Sequence, residues 1–178
     1  MTVLTVIGIV VAVLVAAILV YAATRPSSFR IERSAGIKAP PEKIFPHIND
    51  YKAWTAWSPW ERIDPALKRS YSGPQSGKGA RYAWEGNKNV GSGSMEITES
   101  VAPSKILMRL DFLKPFEAHN MTEFTLAPQG DTTTVRWEMY GPSPYVSKLM
   151  GIFMNMDRMV GAQFDKGLAQ LKAIAEAN

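Results

Sequence analysis

Residues 145–177 read YVSKLMGIFMNMDRMVGAQFDKGLAQLKAIAEA. Leu149, Phe153, Met156, Val160, Phe164, Leu171 and Ile174 recur there at spacings of three and four, with Gly167 in the same register. The pattern predicts one continuous apolar stripe down a long helix, wide enough to lie across a sheet. Lys148, Asp157, Arg158, Lys166, Lys172 and Glu176 fall on the other side, the expected solvated face. Pro142 and Pro144 stop a preceding strand, and Ser143 between them offers a cap. A single long helix placed after a run of strands closes a curved sheet and roofs a cavity.

The run of strands lies upstream. Thr132–Tyr140 alternates Val135, Trp137 and Met139 against Thr134, Arg136, Glu138 and Tyr140. Lys105–Leu113 alternates Ile106, Met108, Leu110 and Phe112 against Leu107, Arg109 and Asp111. Gly91–Ser100 puts Met95 and Ile97 on one face, Arg81–Glu85 puts Tyr82 and Trp84 on one face, and Glu117–Leu126 puts Phe124 and Leu126 together. Arg69–Ser72 is a shorter strand ahead of the turn Gly73–Gly79. Period-2 patterning broken by regular turns predicts an antiparallel sheet with one buried face. Phe29–Ala39 reads as a first strand. Pro41 then opens a short helix with Ile44, Phe45 and Ile48 inward, and a second helical turn carries Tyr51, Trp54 and Trp57 up to Ser58-Pro59. The fold class is α+β.

Val3–Ala23 is an uncharged run of mostly Val, Ile, Leu and Ala, and about 20 such residues span a bilayer as a helix. A cleaved signal peptide would have a basic start and a shorter apolar run; here no Lys or Arg precedes the span, although Val20-Tyr21-Ala22 resembles a cleavage motif. A buried core helix would show a polar side. Residues 1–24 are therefore expected to be a retained transmembrane anchor, 25–28 a linker, and 29–178 the folded domain. Arg25, Arg30, Arg33 and Lys38 follow the span, which places that domain on the cytoplasmic side of a single-pass membrane protein.

Of 178 residues, 46% are hydrophobic, enough for one medium-sized core, and the formal charge of +4 belongs wholly to the part after residue 24. The basic residues are scattered, with Lys68–Arg69 the only adjacent pair, so nucleic acid is not an expected partner. The absence of cysteine excludes thiol catalysis, disulfides and cysteine metal sites.

The segment Ile37–Phe45, IKAPPEKIF, followed by Trp54–Trp60, WTAWSPW, resembles the opening of the START-related, polyketide-cyclase-like (SRPBCC) superfamily. Gly77–Trp84 (GKGARYAW), the Gly91-Ser-Gly turn, Thr133–Trp137 (TTVRW) and Phe164–Leu168 (FDKGL) fit the same pattern, and the likeness covers nearly everything after residue 28. The resemblance implies the helix-grip fold: a curved antiparallel sheet around a long C-terminal helix, with a deep apolar cavity between them. It carries no shared catalytic residues. The superfamily includes lipid carriers, hormone-binding proteins, cyclases, oxygenase subunits and chaperone activators.

Catalytic signatures are missing: there is no nucleophile elbow, metal-binding His-Glu helix, phosphate loop or dinucleotide fingerprint. His47 and His119 read as structural residues, and the Asn120-Met-Thr122 sequon lies on a strand. Glu85, beside Trp84, is the one acid near a possible pocket mouth. No catalytic residue, metal or cofactor is assigned. Trp57, Tyr82, Trp84, Met95, Met108, Leu110, Phe112, Phe124, Trp137, Phe153, Met156 and Val160 are expected to line the cavity, because each is in phase with its apolar stripe. Trp rings and flexible Met side chains make an adaptable wall suited to a hydrophobic small molecule or lipid. The expected function is a membrane-tethered binding module. The alternatives are a polyketide cyclase/dehydratase-like enzyme and an interaction module resembling the chaperone activators, whose protein partner is unknown.

Overall fold

The computed structural model describes residues 2–177. The chain divides into two compact units, Met1–Phe29 with Pro142–Met156, and Arg30–Gly141 with Asp157–Asn178.

The larger unit is a sheet with helices on one face. Its strands are β1 (Ser28–Ile37), β2 (Lys68–Ser72), β3 (Arg81–Glu85), β4 (Ser92–Val101), β5 (Lys105–Lys114), β6 (Ala118–Gln129) and β7 (Thr132–Pro142). The seven are ordered β1-β7-β6-β5-β4-β3-β2, so β2 to β7 form an antiparallel meander and β1 returns to the far edge beside β7. The expected alternation holds along the middle of β4, β5, β6 and β7, where buried residues occupy every second position, with Glu138 of β7 buried out of phase. Gly91, at φ +70° in the β3–β4 turn, has no room for a side chain: a Cβ there would meet the Lys114 carbonyl oxygen at 2.1 Å.

Between β1 and β2 the chain covers the inner face of the sheet. The helix α2 (Pro41–Asn49) starts with proline at its first turn and buries Ile44, Phe45 and Ile48. A 3-10 turn, then α3 (Trp54–Trp57) and a second 3-10 turn (Pro59–Arg62), bring Trp54, Trp57 and Trp60 over the sheet.

The long terminal helix is two helices, which corrects the reading of an unbroken stripe. They are α4 (Tyr145–Phe153) and α5 (Met156–Glu176), separated where Met154 turns extended at φ −123°, ψ 122°. Asp157 follows in the first turn of α5, complementing the helix dipole. Phe153, expected against the sheet, is 72% exposed, and Met156 is 48% exposed. The buried stripe of the terminal segment begins in α5 and runs Gly161, Phe164, Leu168, Leu171, Ala175.

Two sets of polar contacts fasten α5 to β1. Arg33 Nη2 lies 3.0 Å from Asp157 Oδ2, and its Nε 3.4 Å from Asp165 Oδ2. This guanidinium lies where Gly161 would carry a side chain: a Cβ there would be 2.0 Å from Arg33 Nη2. At the other end, Lys172 Nζ donates to the Gly36 carbonyl at 2.7 Å, and the Lys38 N–H donates to Glu176 Oε1 at 2.6 Å.

In the smaller unit, α1 (Val3–Thr24) has 22 residues, capped by the Thr2 hydroxyl accepting from the Thr5 N–H. Its apolar side chains are exposed on every side, and only Ala22 is buried. One hydrogen bond joins the two helices, Tyr145 Oη donating to the Leu19 carbonyl at 2.9 Å, and two more tie the flanking residues, Lys148 Nζ to Ser27 Oγ at 3.0 Å and the Ser143 N–H to the Ser27 carbonyl at 2.8 Å.

Candidate functional site

Strand register assembles the inner face of the larger unit. Tyr82 stands opposite Met95, Met95 opposite Leu110, and Leu110 opposite Asn120. One step along, Trp84 faces Gly93, Gly93 faces Phe112, and Phe112 faces Ala118. One step the other way, Ile97 faces Met108, Met108 faces Thr122, and Thr122 faces Met139.

Half of this face is sealed. Ile97, Ile106, Met108, Phe124 and Val135 are fully buried. Phe124 stacks on Trp137 at 4.7 Å, and Trp137 stacks on Phe164 of α5 at 4.1 Å with planes 9° apart. Gly167 permits that stack, since a Cβ on it would stand 2.8 Å from Trp137 Cζ3. Trp57 meets Trp137 edge-on at 5.5 Å, and Trp60 does so at 5.6 Å. The buried indoles are satisfied: Trp54 Nε1 donates to the Ile48 carbonyl, Trp57 Nε1 to the His47 carbonyl and Trp137 Nε1 to Thr122 Oγ1. Trp57, Met108, Phe124 and Trp137 thus sit in a close-packed aromatic core.

The other half is less covered. It lies at the end of the sheet that carries the β3–β4 and β5–β6 turns. Met95, Leu110 and Met139 are nearly but not completely buried, while Trp84, Phe112 and Val160 are half-buried. Trp84 leans over Gly93, where a Cβ would be 2.6 Å from its ring, and meets Phe112 edge-on at 5.9 Å. Tyr71, Tyr82 and Trp84 form a ladder of stacked rings at 5.4 and 5.8 Å along the β2–β3 edge. Phe153 and Met156 belong to the smaller unit and are exposed there.

Asn120 went unrecognised in the sequence. It is 7% exposed, faces Leu110 across the strands, and its Oδ1 lies over Gly141, where a Cβ would stand 2.3 Å away. It puts an amide at the margin of an apolar surface. The available signal was an amide in phase with Thr122, Phe124 and Leu126 on the buried side of β6.

Glu61, also missed, is the buried acid of this region. Tyr82 Oη donates to Glu61 Oε1 at 2.7 Å, and Arg69 Nε donates to Glu61 Oε2 at 2.5 Å. Burial, then the bond to Glu61, pushes the Tyr82 hydroxyl far up from its usual value. Both oxygens of Glu61 are occupied, which suits a structural ion pair better than proton transfer. The Tyr51 hydroxyl is buried without a partner, and burial raises its pKa strongly too. Glu85 points away, exposed on the outer face.

That outer face is polar. Arg81, Glu96, Arg109, Asp111, His119 and Glu117 form a chain of ion pairs across it. Two shallow depressions, of about 180 and 230 Å³, lie on it and beside the Gly73–Gly79 turn, lined mainly by Ser, Arg, Lys, Glu and Tyr side chains. The first also touches Tyr82 and Met95 on β3 and β4. Among the described residues, no group of three or more His, Asp or Glu side chains could hold a metal ion.

The architecture is shared with solved structures of low identity. The di-domain ARO/CYC BexL from the BE-7585A biosynthetic pathway superposes with a TM-score of 0.64 at 15% identity, covering 89% of this chain and 53% of that one. A protein from Thermobifida fusca gives 0.62 at 16%, covering 82% and 92%. The Aha1 dimer from Colwellia psychrerythraea gives 0.56 at 18%, covering 83% and 96%. No curated protein matches the sequence. These likenesses establish the helix-grip fold, and the sequence resemblance to the superfamily agrees with them. Residues 28–176 match the model of the family described as polyketide cyclase / dehydrase and lipid transport, and the chain belongs to that family.

Proposed function

We propose that this chain is a membrane-anchored module that binds a hydrophobic small molecule or lipid on the open half of its inner face. Trp84, Met95, Leu110, Phe112 and Val160 supply the apolar wall, and Tyr82 closes its edge. The observation that carries the reading is the incomplete cover of this half: Trp84, Phe112 and Val160 are half-buried apolar side chains beside the nearly buried Met95 and Leu110. A guest with a greasy body and one polar atom would cover these side chains and bring its polar atom to the Asn120 amide. Trp57, Met108, Phe124 and Trp137 then act as the rigid floor beneath that guest.

The anchor reading is supported by length and composition. A 22-residue helix is about 33 Å long, against a hydrocarbon core of about 30 Å. Arg25, Arg30 and Arg33 beyond the span favour a cytoplasmic larger unit. Native mass spectrometry of the full chain, extracted in mild detergent, tests both parts. The expected spectrum shows intact residues 1–178 with a co-purifying apolar adduct, reduced in Asn120→Leu. A mature chain starting near Ala23 would sink the anchor. Equal adduct occupancy in the wild type and in a Leu110→Trp variant would move the site elsewhere.

A polyketide cyclase-like enzyme is the second reading, and the family description favours it. It needs an acid or base beside the guest, and Glu61 is already engaged by Tyr82 and Arg69.

A further inference from the structure

We propose that α4 is a second membrane contact: it lies in the headgroup region beside the end of α1 and places Val146, Met150 and Phe153 among the lipids. The inference rests on the reading of α1 as an anchor and concerns the smaller unit alone.

Three observations converge. Val146, Met150 and Phe153 are spaced at i, i+4 and i+7, which is one stripe of a helix, and all three are exposed. No residue of α4 is buried, while Lys148, Leu149, Gly151 and Ile152 are half-covered. The helix therefore has one side against its own unit and an apolar side against nothing.

Depth identifies the occupant. The Tyr145 hydroxyl bonds the Leu19 carbonyl, and Leu19 lies five residues before the end of α1 at Thr24. At 1.5 Å per residue, that carbonyl is about 8 Å inside the end of the span. Helices lying in the interface sit about 5–10 Å into the boundary between headgroups and acyl chains. Tyrosine at the start of α4 suits that level, being enriched where membrane meets water.

Charge agrees. Lys148 is the only charged residue of α4, and its ammonium is turned to Ser27, away from the stripe. With Arg25 it forms a basic margin next to the apolar surface, fitting anionic headgroups. A second protein chain covering the stripe would leave α1 to account for the exposed Val20 and Tyr21 at the same level. A bilayer covers all of them at once.

The test uses the absence of cysteine. Single variants Val11→Cys, Met150→Cys and Phe153→Cys of the full chain are labelled with an environment-sensitive NBD dye. Each is reconstituted into vesicles of three parts phosphatidylcholine to one part phosphatidylglycerol, a composition chosen as roughly a quarter anionic to match a cytoplasmic leaflet. The emission is compared with that of free NBD-cysteine in buffer. At 150 and 153 the expected result is a blue shift and loss of most emission when lipids carrying a shallow acyl spin label are included. At 11 the quenching should come instead from a deep label. A water-like label at 153, with 11 still quenched, overturns the proposal and leaves the anchor standing. A blue-shifted label at 153 that no spin-labelled lipid quenches overturns it in favour of a protein partner. Failure of quenching at 11 removes the anchor and this proposal together.

Discussion

Met108 and Leu110 are neighbours on the same face of one strand, two residues apart, yet they belong to different environments. Met108 is fully buried, opposite Ile97 and Thr122, which are buried too. Leu110 stands opposite Asn120 and two residues before the half-covered Phe112. The alternation that puts both side chains inward is identical. What differs is the cover: Trp57 of α3 and Phe164 of α5 pack on the Phe124–Trp137 stack, while Trp84 and Phe112 at the other end are only half-buried. One inner face thus has a sealed end and a less covered end.

The largest effect that would break this comparison is at the sealed end. Phe164→Ala removes the ring stacked on Trp137 and should cost about 3–5 kcal/mol in the full-length protein, read by denaturant titration in micelles. A loss below about 1 kcal/mol would mean the stack contributes little.

Added volume sharpens the contrast. Met108→Trp overpacks a filled site and should cost about 1–3 kcal/mol. Leu110→Trp, two residues on, should leave the melting temperature near that of the wild type and weaken uptake of an apolar fluorescent probe. Equal destabilisation by the two variants would show a uniformly packed core.

Asn120→Leu should leave the melting temperature of the ligand-free protein near that of the wild type, because the site already stands among apolar side chains. It should weaken binding of probes carrying a carbonyl and spare hydrocarbon ones. Destabilisation by this change would mean that the amide has a partner in solution.

The smallest effect belongs to the outer face. The hydrogen bond to Asp111, more than its charge or that of Glu117, raises the pKa of His119 above its ordinary value of about 6.5. A group whose folded pKa is raised contributes stability that is fully present below the unfolded pKa and lost as pH rises through the folded one. Thermal stability should therefore dip slightly on going from about pH 6 to about pH 8, and His119→Gln should flatten that step. A step of the same size in the variant would assign it to another group.

Much of the fold was legible in the sequence because period-2 alternation and glycine turns are local signals. Val135, Trp137 and Met139 announce a buried strand face whatever lies over them, and Pro41 opens a helix by its own ring geometry. The break at Met154-Asn155 was not, since the two methionines flanking Asn155 continue an apolar rhythm that a helix would also carry. Phase told which strand side chains face inward, for Trp84, Leu110 and Phe112 as for Phe124, and failed on the terminal segment, where Phe153 and Met156 are exposed. It could not tell floor from opening, because that depends on a third layer supplied from positions far along the chain. Asn120 was hidden for the same reason: an amide inside a strand reads as polar and outward until register fixes its face.

The fastening of α5 has a mechanical consequence. Arg33 grips the helix near Gly161, and Gly36 and Lys38 hold it at Lys172 and Glu176, so the helix is riveted at two points to the β1 margin. Two rivets set far apart oppose tilting of the helix away from that margin. At the opposite margin β2 is exposed along its whole length and pairs only with β3, so the two edges of one sheet are held unequally.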